Sequence, residues 1–180
     1  MKKYLSLAAI FMLLISFAGC AKSPAAEGEP EIQLPEESTA PILTVGETVT
    51  IDGVCEFQVN WVEITDSPEI YYEARKGKTY VDLGITYQHL ADSTISADNI
   101  MKGKLIYSGL YEYGFDDIVQ EEEELVSWNH AYRVEIGKLD TKQMRYFFTV
   151  PEELEDSDRK VELNINIRGN DYRVIVRDGD

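Results

Sequence analysis

Two histidines, His89 and His130, and two cysteines, Cys20 and Cys55, are the residues of this 180-residue chain best suited to metal binding or proton transfer. No His-x-x-x-His or Cys-x-x-Cys pattern joins them, so neither a zinc site nor a Cys–His nucleophile is expected. Gly77-Lys78-Thr79 has the tail of a phosphate-binding loop, but Tyr72 stands where the leading glycine belongs and a strand pattern follows where the motif needs a helix. Ser157 and Lys160 have the Ser-x-x-Lys spacing of some acyl enzymes, with neither Ser-Asp-Asn nor Lys-Thr-Gly elsewhere in the chain. The residue types therefore point away from catalysis and call for no cofactor.

Carboxylates and phenols are the more abundant chemistry. Asp116 and Asp117 precede Glu121 to Glu124, and Glu152, Glu153 and Glu155 surround Asp156 and Asp158. Calcium takes six to eight oxygen ligands, so Asp116, Asp117, Asp156 and Asp158 are weak metal candidates. No EF-hand spacing is present, and a solvated acidic surface accounts for both clusters. Tyr107, Tyr111 and Tyr113 lie close together in sequence. An exposed tyrosine offers a large amphipathic surface at low entropic cost. Tyr111 and Tyr113 are accordingly the candidates for a partner-binding surface, while packing is expected for most other tyrosines.

The elements that would carry these residues begin after an N-terminal signal. Lys2 and Lys3 precede an apolar run from Leu5 to Phe17, and the small residues Ala18 and Gly19 precede Cys20. That order is the one of a secretory signal, and the run is shorter than the roughly 20 residues of a permanent span. Phe17-Ala18-Gly19-Cys20 resembles the bacterial lipobox, with Phe17 where leucine is usual. The resemblance implies cleavage before Cys20 and attachment of a diacylglyceryl group, hence a membrane partner through two acyl chains. The expected divisions are a signal over residues 1–19, a lipidated Cys20 with a tether to residue 42, and a folded domain over 43–180.

The tether carries Pro24, Pro30, Pro35 and Pro41 among glutamates and has no aromatic residue. Such a segment buries too little apolar surface to offset its ordering entropy. A net charge of −16 disfavours nucleic acid and anionic lipid as direct partners of the domain. With Cys20 lipidated, Cys55 is left without a disulfide partner, and beside Val54 and Phe57 it reads as a small buried hydrophobe.

From Leu43 onward the pattern has period two. Val59 and Trp61 alternate with Gln58 and Asn60; Val81, Leu83, Ile85 and Tyr87 alternate with smaller or polar residues. Tyr132, Val134 and Ile136 form a further run; Met144, Tyr146, Phe148 and Val150, then Val161, Leu163, Ile165 and Ile167, then Tyr172, Val174 and Val176 do the same. Each is a strand with one buried face. The last two runs should meet in a tight hairpin at Gly169-Asn170. Asp116 to Leu125 is either the one helix or a solvated loop. The connection from Tyr113 to His130 is long enough to cross between sheets. The expected fold is an all-β sandwich of about seven to nine strands.

Val45-Gly46-Glu47, the aromatic stretch from Tyr71 through Gly77-Lys78 to Tyr80, and Val150-Pro151 together resemble the DUF4352/DUF5067 type of extracellular domain of Gram-positive lipoproteins. The resemblance spans Leu43 to Arg177 and departs at His89-Leu90, where relatives often have asparagine. It implies an immunoglobulin-like sandwich related to the mycobacterial immunoprotective antigen, on the outer face of the cell membrane. That family has no agreed catalytic residues. The expected role is a tethered, non-enzymatic binding domain with a protein partner at the cell surface. A structural or stress-related envelope lipoprotein and a calcium-dependent adhesion module are the alternatives.

Overall fold

A computed structural model describes residues 38–68, 71–121, 129–131 and 134–179. The signal, Cys20 and most of the tether lie outside these residues. The strands are β1 (Thr48–Ile51), β2 (Cys55–Thr65), β3 (Lys78–His89), β4 (Ile95–Ser96), β5 (Met101–Tyr107) and β6 (Tyr111–Gly114), followed by β7 (Asp117–Glu121) and β8 (Asn129–His130). The chain ends with β9 (Glu135–Ile136), β10 (Thr141–Pro151), β11 (Val161–Ile167) and β12 (Asn170–Arg177). Nine of these have four or more residues. β4 and β8 are too short to display a period, and of the expected run from Tyr132 to Ile136 only Glu135–Ile136 is a strand, Tyr132 lying outside the described residues.

The strands form a six-stranded sheet in the order β1-β2-β3-β10-β7-β8 and a four-stranded sheet in the order β12-β11-β5-β6, with β4 and β9 paired apart. All strand pairs are antiparallel. This is the expected β-sandwich. Between the sheets, Leu83, Ile85, Tyr87, Tyr146 and Phe148 of the larger meet Leu105, Leu163 and Ile165 of the smaller, all at most 2% exposed. Burial of each such side chain stabilises the fold by about 1.5–3 kcal/mol. The crossover expected between Tyr113 and His130 falls at Phe115-Asp116, where the chain leaves β6 and enters β7 in the other sheet.

Three local expectations are corrected. Asp117 to Glu121 is a strand and not part of a helix: Ile118 enters the main core and Val119 packs on the opposite face. Both faces of β7 are covered, which removes the polar alternation that marks a half-buried strand; Glu122 to Leu125 lie outside the described residues. Trp61 does not share a face with Val59, because a bulge at Asn60 shifts the register between them. Val62 and Ile64 take up the core positions and Trp61 turns outward. The last hairpin turns at Arg168-Gly169, one residue earlier than expected. Arg168 has φ 52° and Gly169 φ 91°, the positive pair of a two-residue turn, and Ile167 pairs with Asn170.

The outer face of the six-stranded sheet is also packed. Tyr71 stacks on Phe147 at 4.2 Å and 11°, and its hydroxyl donates to Asp117 Oδ2 at 2.7 Å. Tyr80, Val119 and Phe147 are buried beneath it. Beside them the buried Asp82 and Arg145 form an ion pair, and the Arg145 guanidinium lies 5.1 Å from the Trp61 ring centre. Burial pushes the Asp82 carboxyl up, and Arg145 offsets part of that rise. The Trp61 ring lies flat on Gly84, where a Cβ would stand 2.3 Å from it.

The folded unit starts before Leu43. Arg173 N donates to Pro41 O at 2.9 Å, Leu43 N donates to Arg173 O at 2.8 Å, and Arg173 Nε donates to Ala40 O at 2.9 Å. The last residues of the expected tether are thus held along β12.

Candidate functional site

The hairpin of β5 and β6 sets Tyr107 directly opposite Tyr111 and Leu105 opposite Tyr113. Period two then puts all three tyrosines on the face that carries the buried Leu105. This inner face runs past the end of the core, where Tyr107 and Tyr113 are half-buried and Tyr111 is 53% exposed. The Tyr107 and Tyr111 rings lie 6.1 Å apart and 30° from parallel.

The opposite wall is the turn that leaves β10 after Pro151. Leu154 anchors it in the core at 1% exposure. The Arg177 guanidinium, from β12, donates to the carbonyl oxygens of Leu154 at 2.6 Å, Glu155 at 2.9 Å and Ser157. Tyr107 Oη and Ser157 Oγ are 2.8 Å apart, which ties the wall to the tyrosine row. Between the walls lies an open groove of about 510 Å³, lined by Tyr107, Tyr111, Tyr113, Glu153, Asp156 and Arg159 among others. Burial, and then the neighbouring Tyr111, Glu153 and Tyr107, hold the Tyr113 phenol above its ordinary pKa. The groove presents phenol hydroxyls and aromatic faces beside two carboxylates and one guanidinium. It has no nucleophile paired with a base.

The other candidates are placed elsewhere. Asp116 Oδ2 accepts from Thr149 N at 2.7 Å, and Asp117 accepts from Tyr71 and from Ile118 N. Both link β7 and its approach to neighbouring segments. Asp156 belongs to the groove, and Asp158 is exposed. Among the described residues no three His, Cys, Asp or Glu side chains group as a metal site. Ser157 and Lys160 sit on a loop with Ser157 engaged by Tyr107, and Lys78 opens a strand, so neither motif has its required helix. His130 contributes backbone pairing to Val119.

Cys55 and His89 are brought opposite each other by the β2–β3 register. Cys55 hydrogen-bonds the Tyr87 hydroxyl. Tyr87 Oη lies 3.2 Å from His89 Nδ1, and His89 Nε2 meets Ser93 O. A carbonyl only accepts, so Nε2 carries a proton and donates to Ser93 O. All three side chains are fully buried. Burial raises the Cys55 thiol, so the thiolate is suppressed and Cys55 is not an activated nucleophile.

The sequence marked Tyr111 and Tyr113 but not Glu153, Ser157 or Arg159 as their neighbours. The loop carrying those three is some fifty residues away along the chain, and only the β11–β5 pairing brings it there. The 107/111 spacing around Ser108-Gly109, both at positive φ, was a readable hairpin signal.

No family model matches the chain, and no curated protein matches it. Among solved structures it is similar to an uncharacterized β-sandwich protein from Clostridium difficile 630, with 23% identity and a TM-score of 0.69. That match covers 83% of this chain and 100% of the other, and it shows the β-sandwich class. It is also similar to a secreted protein from Mycobacterium tuberculosis, at 12% identity and a TM-score of 0.45, over 78% of this chain and 99% of that one.

Proposed function

We propose that this chain is an exported, lipid-anchored and non-enzymatic recognition module, held through Cys20 on the outer face of a Gram-positive cell membrane, with the tyrosine groove as its binding surface. The anchor rests on the order of charged, apolar and small residues before Cys20. The observation that carries the binding reading is the groove itself. Tyr111 is held out to solvent beside Tyr107 and Tyr113, opposite a wall that Arg177 ties to β12 and Leu154 anchors in the core. Side chains ordered before binding lose little entropy on contact, which is how a small surface reaches useful affinity.

Two measurements test this. Intact mass of the membrane-fraction protein should show a diacylglyceryl adduct that a Cys20→Ala variant lacks, and the variant should leave the membrane. Cross-linking on intact cells should give a partner adduct that Tyr111→Ala abolishes. An unlipidated wild type would overturn the anchor, and an adduct indifferent to Tyr111 would overturn the groove.

A further inference from the structure

Resting on the recognition reading above, we infer that the groove formed by Tyr107, Tyr111 and Tyr113 with Glu153 and Asp156 takes a cationic side chain, lysine or arginine, from an extended segment of a partner protein. Three observations converge on this chemistry. Aromatic faces attract a cation within about 6 Å through the negative charge of the ring face, and Tyr111, at 53% exposure, presents its ring at the groove. Glu153 and Asp156 are exposed on the facing wall and outnumber Arg159, the one cation of the lining. Arg177 is turned to the carbonyl oxygens of Leu154, Glu155 and Ser157 and does not line the groove.

The surroundings favour the same occupant. A chain of net charge −16 draws cationic segments toward it and repels acidic ones. Among the described residues β6 is the outermost strand of its sheet, and an outermost strand offers backbone groups to an extended segment laid beside it. Such a segment would set alternate side chains over the tyrosine row.

General attraction of an acidic protein for polycations is separated from this site by substitutions that leave the charge unchanged. The probe is a fluorescein-labelled decapeptide of alternating lysine and serine, with a glutamine-for-lysine version as control. Both are titrated by anisotropy against the full chain in non-ionic detergent, at about 0.15 M salt, where long-range attraction is largely screened. Tyr111→Ala should weaken the lysine peptide about two- to fivefold, the scale of one exposed cation–aromatic contact, while Tyr111→Phe, which keeps the ring, should bind nearly as well as wild type. Glu153→Gln with Asp156→Asn should weaken it, and Arg159→Gln should tighten it. Equal binding of the glutamine peptide, still lost in Tyr111→Ala, would overturn the cationic assignment and leave the recognition reading intact. Lysine-peptide binding indifferent to Tyr111 would show general charge attraction and overturn this site, and no binding of either peptide would also overturn it.

Discussion

Cys55 shows how burial decides what a reactive residue type does. Its thiol is enclosed, hydrogen-bonded to Tyr87 and raised in pKa by desolvation, so the thiolate that reacts with electrophiles is suppressed. Maleimide added to the native protein should leave Cys55 unmodified, and labelling should become complete at the denaturant concentration where the fold is lost; mass spectrometry reads both. Fast labelling of the native state would contradict the network. Tyr146 makes the complementary case. Its hydroxyl is buried and finds no partner among the described residues, and such a group costs about 1–3 kcal/mol. Tyr146→Phe should therefore keep or raise Tm, whereas a drop of several degrees would mean that the hydroxyl is satisfied. The two phenols differ only in their neighbours, since Tyr87 bridges a thiol and an imidazole.

Among the elements, β2 and β3 are matched by one bulge and one glycine. The bulge at Asn60 turns Trp61 outward, and Gly84 leaves the space into which the indole lies. A methyl at that position would meet the ring at 2.3 Å, far inside contact distance. The tryptophan would have to lift off, loosening its contact with Arg145 above the buried Asp82. Overpacking of this kind costs about 1–3 kcal/mol. Gly84→Ala should lower the unfolding free energy by that amount and shift tryptophan emission to the red, and an unchanged spectrum would show that the ring does not rest there. The β5–β6 hairpin and the wall after Pro151 work similarly as a pair. Neither is a site alone, and the contact of Tyr107 with Ser157 joins them.

For the whole molecule, the buried tyrosines set an alkaline limit. Burial raises the phenols of Tyr87 and Tyr146 well above the ordinary value of 10.0, and those of Tyr80, Tyr113 and Tyr172 rise to a lesser degree. A pKa raised in the fold contributes stability that is complete below the unfolded value and is lost as pH climbs toward the folded one. Above about pH 10 the unfolded chain has released protons that the native one retains, so stability should fall by about 1.4 kcal/mol per pH unit for each of the fully buried Tyr87 and Tyr146. Denaturant midpoints from pH 8 to 11.5 should show the decline, with a shallower slope in Tyr146→Phe; a flat profile would place these phenols in water. The same scale separates what the residues announced from what packing decided. The acidity, the β-sandwich class and the long strands β2, β3, β10, β11 and β12 were legible, because alternation and composition are local and each strand buries one face. Strand β7 was not legible as a strand, since a second cluster covers its outer side and erases the alternation, and a single unpaired residue at Asn60 changed the face of Trp61 without a mark in the pattern. Tyr111 and Tyr113 could be singled out by type and spacing. Their meeting with Glu153, Asp156 and Arg159 depended on which strands pair across the sheet and on the clamp of Arg177, contacts between residues far apart in the chain that only the tertiary structure supplies.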